Sequence, residues 1–502
     1  MTDTTMEDAH ATMTAMDPQL SSPLVQMPLE VLVRITYFIS TTDLGNVRLS
    51  CKALEQALFT FFSHEFFRKK QFMVTSHSLQ ALVNISKHPT LSPTLRHVII
   101  GADRPVSSAR ANVDRTKFEE DSARLRLATA DHESLFTTGA LRDMLAEAFA
   151  NLANLETVDI RDFDAPSRNR DGLGTPWRSY GSARLQALIP AGWPMHGPRM
   201  SQDPYITELF SAVIAALAVA QARPKSVEVL IRNPRYSNPW GLQDNAFYIP
   251  PRLEEATAAL LSSLQSLHLS LVVADNTVRP FMYQKFLSLA SNLTWLRLNF
   301  RGFQEEVRKV FSWLALRETE KPPMSFDLDP IRFQRLERFD LGQVTIEADV
   351  LLKLVVKFSP SLRYLYLRTV TLWDPEDPSQ LLRKITPWTG FLSALSRLPD
   401  LKLRQVCLSG IKHGCSMRII GGRFNGHVRF QDPNASGLVN DWMCSTDLTT
   451  LDKAVAQTIA AMIPEFPPDD RSQDEEEQDE DEDDEDDENE DEEGEDGGSE
   501  EE

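Results

Sequence analysis

A Leu-x-x-Leu-x-Leu pattern recurs along this chain and dictates most of what it can fold into. It stands at Leu95/Val98/Ile100, Leu155/Val158/Ile160, Leu264/Leu267/Leu269 and Leu293/Leu296/Leu298. It continues at Leu336/Phe339/Leu341, Leu362/Leu365/Leu367 and Leu403/Val406/Leu408, and Val227 to Ile231 is a further candidate of ambiguous register. The last two apolar residues of each copy sit two apart, so on a strand they face the same way. Helical periodicity fills the gaps. Leu141, Leu145, Phe149 and Leu152 precede one copy, and Val350, Leu351, Leu354 and Phe358 another, while Phe303, Val307, Val310 and Leu314 lie between two others. A strand and a helix that cannot bury their apolar faces alone must do so against the next pair.

The expected fold class is therefore α/β, an irregular leucine-rich-repeat-like α/β solenoid over residues 66–465. Starts of successive copies lie 60, 109, 29, 43, 26 and 41 residues apart. Only two intervals fit a regular leucine-rich period of about 20–29, so loop insertions are expected at about 101–135, 164–204, 233–252 and 412–440. A non-repetitive α/β domain whose strands share one pattern is the alternative. The segments LERFDLGQVTI and LRYLYLRTVTL run in step beyond the common pattern. Arg68-Lys69-Lys70 reads as a solvated helix end, and Gly421-Gly422 among Arg418, Arg423 and Arg429 as a solvated loop.

Charge is divided unevenly. The net charge of −21 comes from 25 acids between Asp469 and Glu502, against the single base Arg471, leaving 48 acids and 51 bases elsewhere. With almost no apolar content, residues 466–502 are expected to be a disordered acidic tail, and residues 1–22 a flexible leader. Contact with basic partners, solubility, and shielding of the body from polyanions all remain open as its role. Four cysteines without paired spacing argue for a reduced, intracellular protein of the cytoplasm or nucleus. No basic region followed by an apolar run opens the chain, no Cys near its end offers a prenylation site, and Leu209 to Ala222 is shorter than the ~20 residues of a bilayer span.

Residues 23–65 read as three short helices. Pro28 suits a helix start, Glu30 its positive end, and Leu29, Leu32, Ile35 and Ile39 recur at helical spacing. Thr42 and Asp43 offer capping oxygens to a second helix, on which Leu44, Val47, Cys51, Leu54 and Leu58 form one stripe. Phe59, Phe62 and Phe66 then share a face expected to join this unit to the rest of the chain.

Met27-Pro28, Glu30, Ile35, Phe38-Ile39, Asp43-Leu44, Leu49 and Ser50-Cys51-Lys52 together resemble the F-box, in the form found among filamentous-fungal F-box proteins. Met27 stands where Leu is usual, and the Trp that often follows the Cys is absent. The resemblance covers about a tenth of the chain. It implies docking on a Skp-type adaptor, and through it a cullin, with Met27, Pro28, Leu32, Ile35, Leu44, Val47 and Leu49 as adaptor contacts. It also implies a substrate-recognition subunit of a ubiquitin ligase that does no covalent chemistry and holds a target lysine near the transferring enzyme.

No nucleophile elbow, phosphate loop or HExxH motif occurs, and neither an enzyme nor a cofactor is expected. Cys407, His413 and Cys415 lie close in sequence, but no second ligand pair follows for zinc. Strand alternation sends Thr157 and Asp159, Ser266 and His268, Trp295 and Arg297, Arg338 and Asp340, Tyr364 and Tyr366, and Gln405 and Cys407 away from the leucines. Of these, Trp295, Arg297, Arg338, Tyr364 and Tyr366 are the kinds of side chain that dominate interfaces. They are expected to bind an unidentified protein substrate, unless loops or the C-terminal segment cover them. Neither membrane nor nucleic acid is an expected partner. The alternative function is a leucine-rich scaffold outside the ligase, with the acidic tail engaging basic chromatin proteins.

Overall fold

Two rows of apolar side chains cross the sheet at right angles to its strands. One runs Val98, Val158, Val227, Leu267, Leu296, Phe339, Leu365, Val406, each paired with the next. The other holds Ile100, Ile160 and Val229, then Leu269, Leu298, Leu341, Leu367 and Leu408, and all of these residues are buried. The alternation legible in the sequence thus becomes the floor of the core.

The computed structural model describes residues 22–105, 115–165, 169–172, 177–188, 204–232, 241–273, 281–302, 304–317, 330–373, 384–417, 422–432, 437–446 and 449–466. The chain opens with α1 (Leu29–Tyr37), α2 (Thr41–Ser50) and α3 (Lys52–Phe67). The sheet then starts with β1 (Lys69–Met73), β2 (His97–Gly101), β3 (Thr157–Arg161), β4 (Ser226–Leu230) and β5 (Ser266–Val273). It continues with β6 (Trp295–Gly302), β7 (Arg338–Glu347) and β8 (Tyr364–Trp373). These eight strands are parallel and adjacent in chain order. Between them come α4 (Ser76–Lys87), α5 (Arg115–Thr137), α6 (Ala140–Ala150), α7 (Ser182–Leu188), α8 (Tyr205–Val219), α9 (Glu254–Ser263), α10 (Phe281–Ser288), α11 (Gln304–Ala315) and α12 (Ala348–Phe358). Apolar stripes of α4, α6 and α8 to α12 close the same core cluster. The architecture is mixed α/β around a large, mainly parallel sheet.

The C-terminal part departs from the single-file plan. After α13 (Pro387–Ser396), β9 (Gln405–Ser409) pairs with the first half of β8 and β10 (Lys412–Met417) with its end, both parallel. Then β11 (Gly422–Gln431) runs back along β10, followed by β12 (Leu438–Val439), β13 (Asp441–Ser445), α14 (Leu451–Ala461) and β14 (Met462–Pro464).

A row of left-handed residues explains why two segments run in step. Gln343 (φ 55°), Thr369 (φ 55°) and Gly410 (φ 55°) each follow a residue of one pairing row, Gly342, Arg368 and Ser409. On β7 the buried apolar side chains are Phe339 and Leu341 before the kink and Val344 and Ile346 after it; on β8 they are Leu365 and Leu367, then Val370 and Leu372. That change of parity requires one extra residue, and the left-handed turn supplies it. Only Gly410 takes this conformation without steric cost.

Several sequence expectations are corrected. Lys69 and Lys70 begin β1 instead of ending a helix. The ambiguous copy at Val227 is a full strand, β4. Much of 101–135 is helix α5, whose Asp131 carboxylate accepts from the Ser76 N–H and Oγ at the start of α4 (3.1 and 2.5 Å). Leu242 and Phe247, in the expected loop 233–252, are core residues, and 412–440 holds β10, β11 and β12. The expected stripe through Cys51 is broken, because that residue is extended (φ −158°) between α2 and α3. Ser40, and neither Thr42 nor Asp43, caps α2: its Oγ accepts from the Asp43 N–H at 3.0 Å and donates to Asp43 Oδ2 at 2.7 Å. The expected leader and acidic tail, apart from Ser22 and Phe466, lie outside the described residues.

Candidate protein-interaction surfaces

The three N-terminal helices close a small core of their own from Leu32, Leu44, Leu54, Leu58 and Phe66, with Val47 and Ile39 packed at its margin. What remains outside is apolar too. Val31, Ile35 and Phe38 recur at i, i+4 and i+7 and share one side of α1. Together with Met27, Leu29, Tyr37 and Leu49 they are exposed, Phe38 at 71% and Leu49 at 85%. Pro28 is exposed beside them, capping α1 with a carbonyl that accepts from the Val31 and Leu32 N–H groups (3.0 and 3.1 Å). Of the seven residues named from sequence, Met27, Pro28, Ile35 and Leu49 therefore lie on an open surface, and Val47 is half-buried. Leu32 (3% exposed) and Leu44 (0%) are corrected to internal core positions with no face to offer. The residues the sequence pattern missed are Val31 and Phe38, and both follow from helical phase once Leu32 points inward.

This unit is bolted to the body by the segment expected to be an insertion at 164–204. Arg170, its side chain 4% exposed, donates to the carbonyls of Thr36 (2.7 Å) and Ile39 (3.2 Å) and to Glu65 (2.6 Å). Asp171 accepts from the N–H and Oγ of Thr41. The ring of Trp177 lies 5.6 Å from that of Phe66, which stacks on Phe62 at 4.7 Å. A little further on, Tyr180 bonds through its backbone to Met73 and Gln71 along the outer edge of β1.

The second surface is the face of the sheet away from the leucines. Its centre is Arg338, whose guanidinium lies 4.1 Å from the Trp295 ring centroid and 4.0 Å from that of Tyr366. The same group donates two hydrogen bonds to Asp340, at 2.7 and 2.9 Å. The ladder extends both ways. His268 meets Trp295 edge-on at 4.2 Å and lies 3.7 Å from Glu228, while the Tyr366 hydroxyl donates to Gln405 at 3.1 Å. At the far end Arg161 pairs with Asp159, which is fully buried. Asp159, His268 and Asp340, expected on an exposed face, are in fact buried within this ladder.

Electrostatics follow from the packing. Burial would raise the Glu228 carboxyl, but the hydrogen bond and charge of His268, with His97 and Ser226, outweigh it and hold the group at about 2. Burial alone would lower Arg338, yet Asp340 keeps it above its ordinary value. Arg297 is lowered by burial and by the like charges of Arg368, Arg232 and Arg338 against the one carboxylate of Asp340. Burial likewise raises the Cys407 thiol and lowers His413.

The five expected substrate contacts therefore differ in kind. Arg338 is a spacer, its faces and its charge both committed internally. Trp295 and Tyr366 each give one face to it. Tyr364 lies half-buried in the row between Arg338 and Gln405, and Arg297 is half-buried. Among the described residues Arg297 has no hydrogen bond or ion pair. His413 is spoken for by Thr386 (2.8 Å) and the Glu465 carbonyl (2.6 Å), and no metal-ligand cluster occurs among the described residues.

No family profile matches the sequence, and no curated protein matches it. One solved structure that aligns is the crystal structure of the Rad7 and Elc1 complex in yeast. It is 12% identical, over 74% of this chain and 85% of that one, with a TM-score of 0.25. No described helix is long and apolar enough to cross a membrane.

Proposed function

We propose that this protein is the substrate-selecting subunit of a Skp–cullin–F-box type ubiquitin ligase. Its three N-terminal helices are the F-box, and the strand–helix succession is an irregular leucine-rich-repeat-like solenoid. The observation that carries the reading is the outward stripe of Val31, Ile35 and Phe38, with Met27, Leu29 and Leu49 beside it, on a unit whose own core is already complete. An apolar surface that its own domain does not need is a surface for another protein. Burying four such side chains at ~1.5–3 kcal/mol each gives stable docking after association costs. The adaptor supplies the cullin, the polar face of the sheet contacts the substrate, and the clasp through Arg170 and Asp171 fixes one relative to the other. The protein itself performs no covalent step and needs no cofactor, and its place of action is the cytoplasm or nucleus. Co-expression with a Skp-type adaptor tests this directly. Wild type is expected to co-purify in equal amounts, and a double Ile35→Asp, Phe38→Glu chain to lose the adaptor. Failure of the wild type to hold any adaptor overturns the reading.

A further inference from the structure

One branch of the sheet ends on β13, and one side of that strand is unmet. Two backbone bonds fix which side. The Gly410 N–H donates to the Asn440 carbonyl and the Thr446 N–H to the Arg404 carbonyl, both at 2.9 Å. β9 and β13 are antiparallel, with Ser409 opposite Asp441 and Cys407 opposite Met443. The bonded pairs therefore fall on even-numbered positions of β13. Trp442 and Cys444 turn their N–H and C=O groups towards β9, and Asp441 and Met443 turn theirs away. Among the described residues β13 pairs with β9 alone, and the main-chain groups of Asp441 and Met443 meet no partner. The strand is also a fixed template. Trp442 stacks on Phe430 at 5.4 Å and donates to Thr458 of α14 at 3.0 Å, and Cys444 is buried. Its other side chains stand on the polar face of the sheet, where the row Asp340, Tyr366, Cys407 ends on Met443. Met443 is 61% exposed, and Asp441 is exposed with one oxygen accepting from the Ser409 hydroxyl. Neither proline nor lysine, the usual guards of an edge, occurs in Asp441–Ser445.

We infer that β13 is a strand-addition site for an extended segment of a partner protein. The segment enters antiparallel, the pairing that is more stable per residue. It places an apolar residue opposite Met443 and, two positions further along, a lysine or arginine opposite Asp441. Each of the two outward residues exchanges both its main-chain hydrogen bonds with the residue it faces, and these bonds give the segment its hold. The side chains beside Met443 and Asp441 give it its identity, since opposite charges directly across a ladder stabilise it. Charge also selects against a second copy of this chain. β13 carries an acid and no base, and self-pairing over Asp441 and Met443 brings two aspartates to diagonal positions. This deepens the substrate reading of the polar face: it rests on that reading for calling the partner a substrate, and it states the form that substrate takes.

The test uses the full chain without adaptor and, as probe, a fluorescein-labelled synthetic peptide, Gly-Ser-Thr-Val-Thr-Lys-Thr-Ser, read by anisotropy. Saturable binding is expected. N-methylation of the valine, whose N–H faces Met443, should weaken it about tenfold, and N-methylation of the next threonine, whose N–H faces away, by less than about twofold. That pair of peptides needs no variant of the chain to fold. Met443→Pro removes an outward donor while β9 keeps its bonds to Trp442 and Cys444, and should cost about the same tenfold at an unchanged thermal midpoint. Asp441→Lys should reverse the preference for this peptide over one with glutamate in place of its lysine. No saturable binding below ~1 mM, equal effects of the two N-methyl groups, or an unchanged preference in Asp441→Lys overturns the inference. So does a dimer of the unliganded chain in sedimentation that Met443→Pro dissolves, since a second copy is then the occupant. Met443→Pro leaves adaptor co-purification intact, so this inference and the ligase reading fail separately.

Discussion

The carboxylate of Asp171 accepts both the backbone N–H and the Oγ of Thr41, at 2.8 and 2.6 Å, across 130 positions of sequence. Thr41 opens α2, so the bond satisfies a helix end from outside the helix. Its neighbour Arg170 does the same for the carbonyls at the close of α1. Together they tie the three N-terminal helices to the body by their shared corner, leaving the stripe of Val31, Ile35 and Phe38 facing out.

Removing either clasp residue should loosen this unit specifically. Arg170→Ala removes one donor from Glu65 and from two carbonyls, and Asp171→Ala removes the acceptor of the Thr41 N–H and Oγ at the start of α2, each at about 2–3 kcal/mol. Hydrogen exchange should rise across residues 29–67 and stay unchanged in β5 to β8. Uniform loosening of the whole chain would contradict the proposed division of labour.

Surface and core positions in the same helices should separate cleanly. Ile35→Asp, at an outward position, is expected to leave the thermal midpoint nearly unchanged while removing adaptor binding. Leu44→Asp buries a charge in a closed core and should unfold the three helices, a cost of about 3 kcal/mol or more. Circular dichroism beside the pull-down distinguishes them.

The left-handed row gives opposite signs to two small substitutions. Thr369→Gly relieves a β-branched residue at φ 55° and should gain about 0.5–1 kcal/mol net of the added chain entropy. Gly410→Ala, in the turn after the next strand at the same φ, should lose about 1–2 kcal/mol. Urea midpoints read both, and shifts of the same sign would refute the shared kink.

Acid should weaken the ladder through Glu228. Its carboxyl sits at about 2 in the fold against 4.5 when unperturbed, so its contribution is present above pH 4.5 and is lost as pH falls towards 2. The full effect is on the order of 3 kcal/mol. Glu228→Gln should flatten the stability profile in that window, and superimposable acid limbs would rule the pair out.

Legibility in the sequence tracks the range of the forces involved. Alternation of Leu267 with Leu269, or Leu365 with Leu367, is a local pattern, and it places the core rows correctly. Strand β1 is hidden at Lys69 and Lys70, because only Phe72 and Met73 are apolar and no leucine leads them. The kink after Gly342 is visible only as two segments running in step, and its cause lies in backbone handedness, which side-chain identity barely records. Helical spacing groups Leu32 with Ile35, yet the fold turns the first inward and the second out. The clasp is out of reach: Arg170 and Asp171 look like ordinary loop charges until Thr36 and Thr41 are folded against them. Arg338 looks like a contact residue because sequence gives the face of a strand and says nothing of the rings on either side.

The strip that carries Arg170 and Trp177 goes on to lay Tyr180 along the free margin of the sheet, so it is both hinge pin and selvage. Unseating it would unhitch the three N-terminal helices and bare a strand able to recruit other chains. Lesions there would announce themselves as precipitation before any loss of partner choice could be noticed.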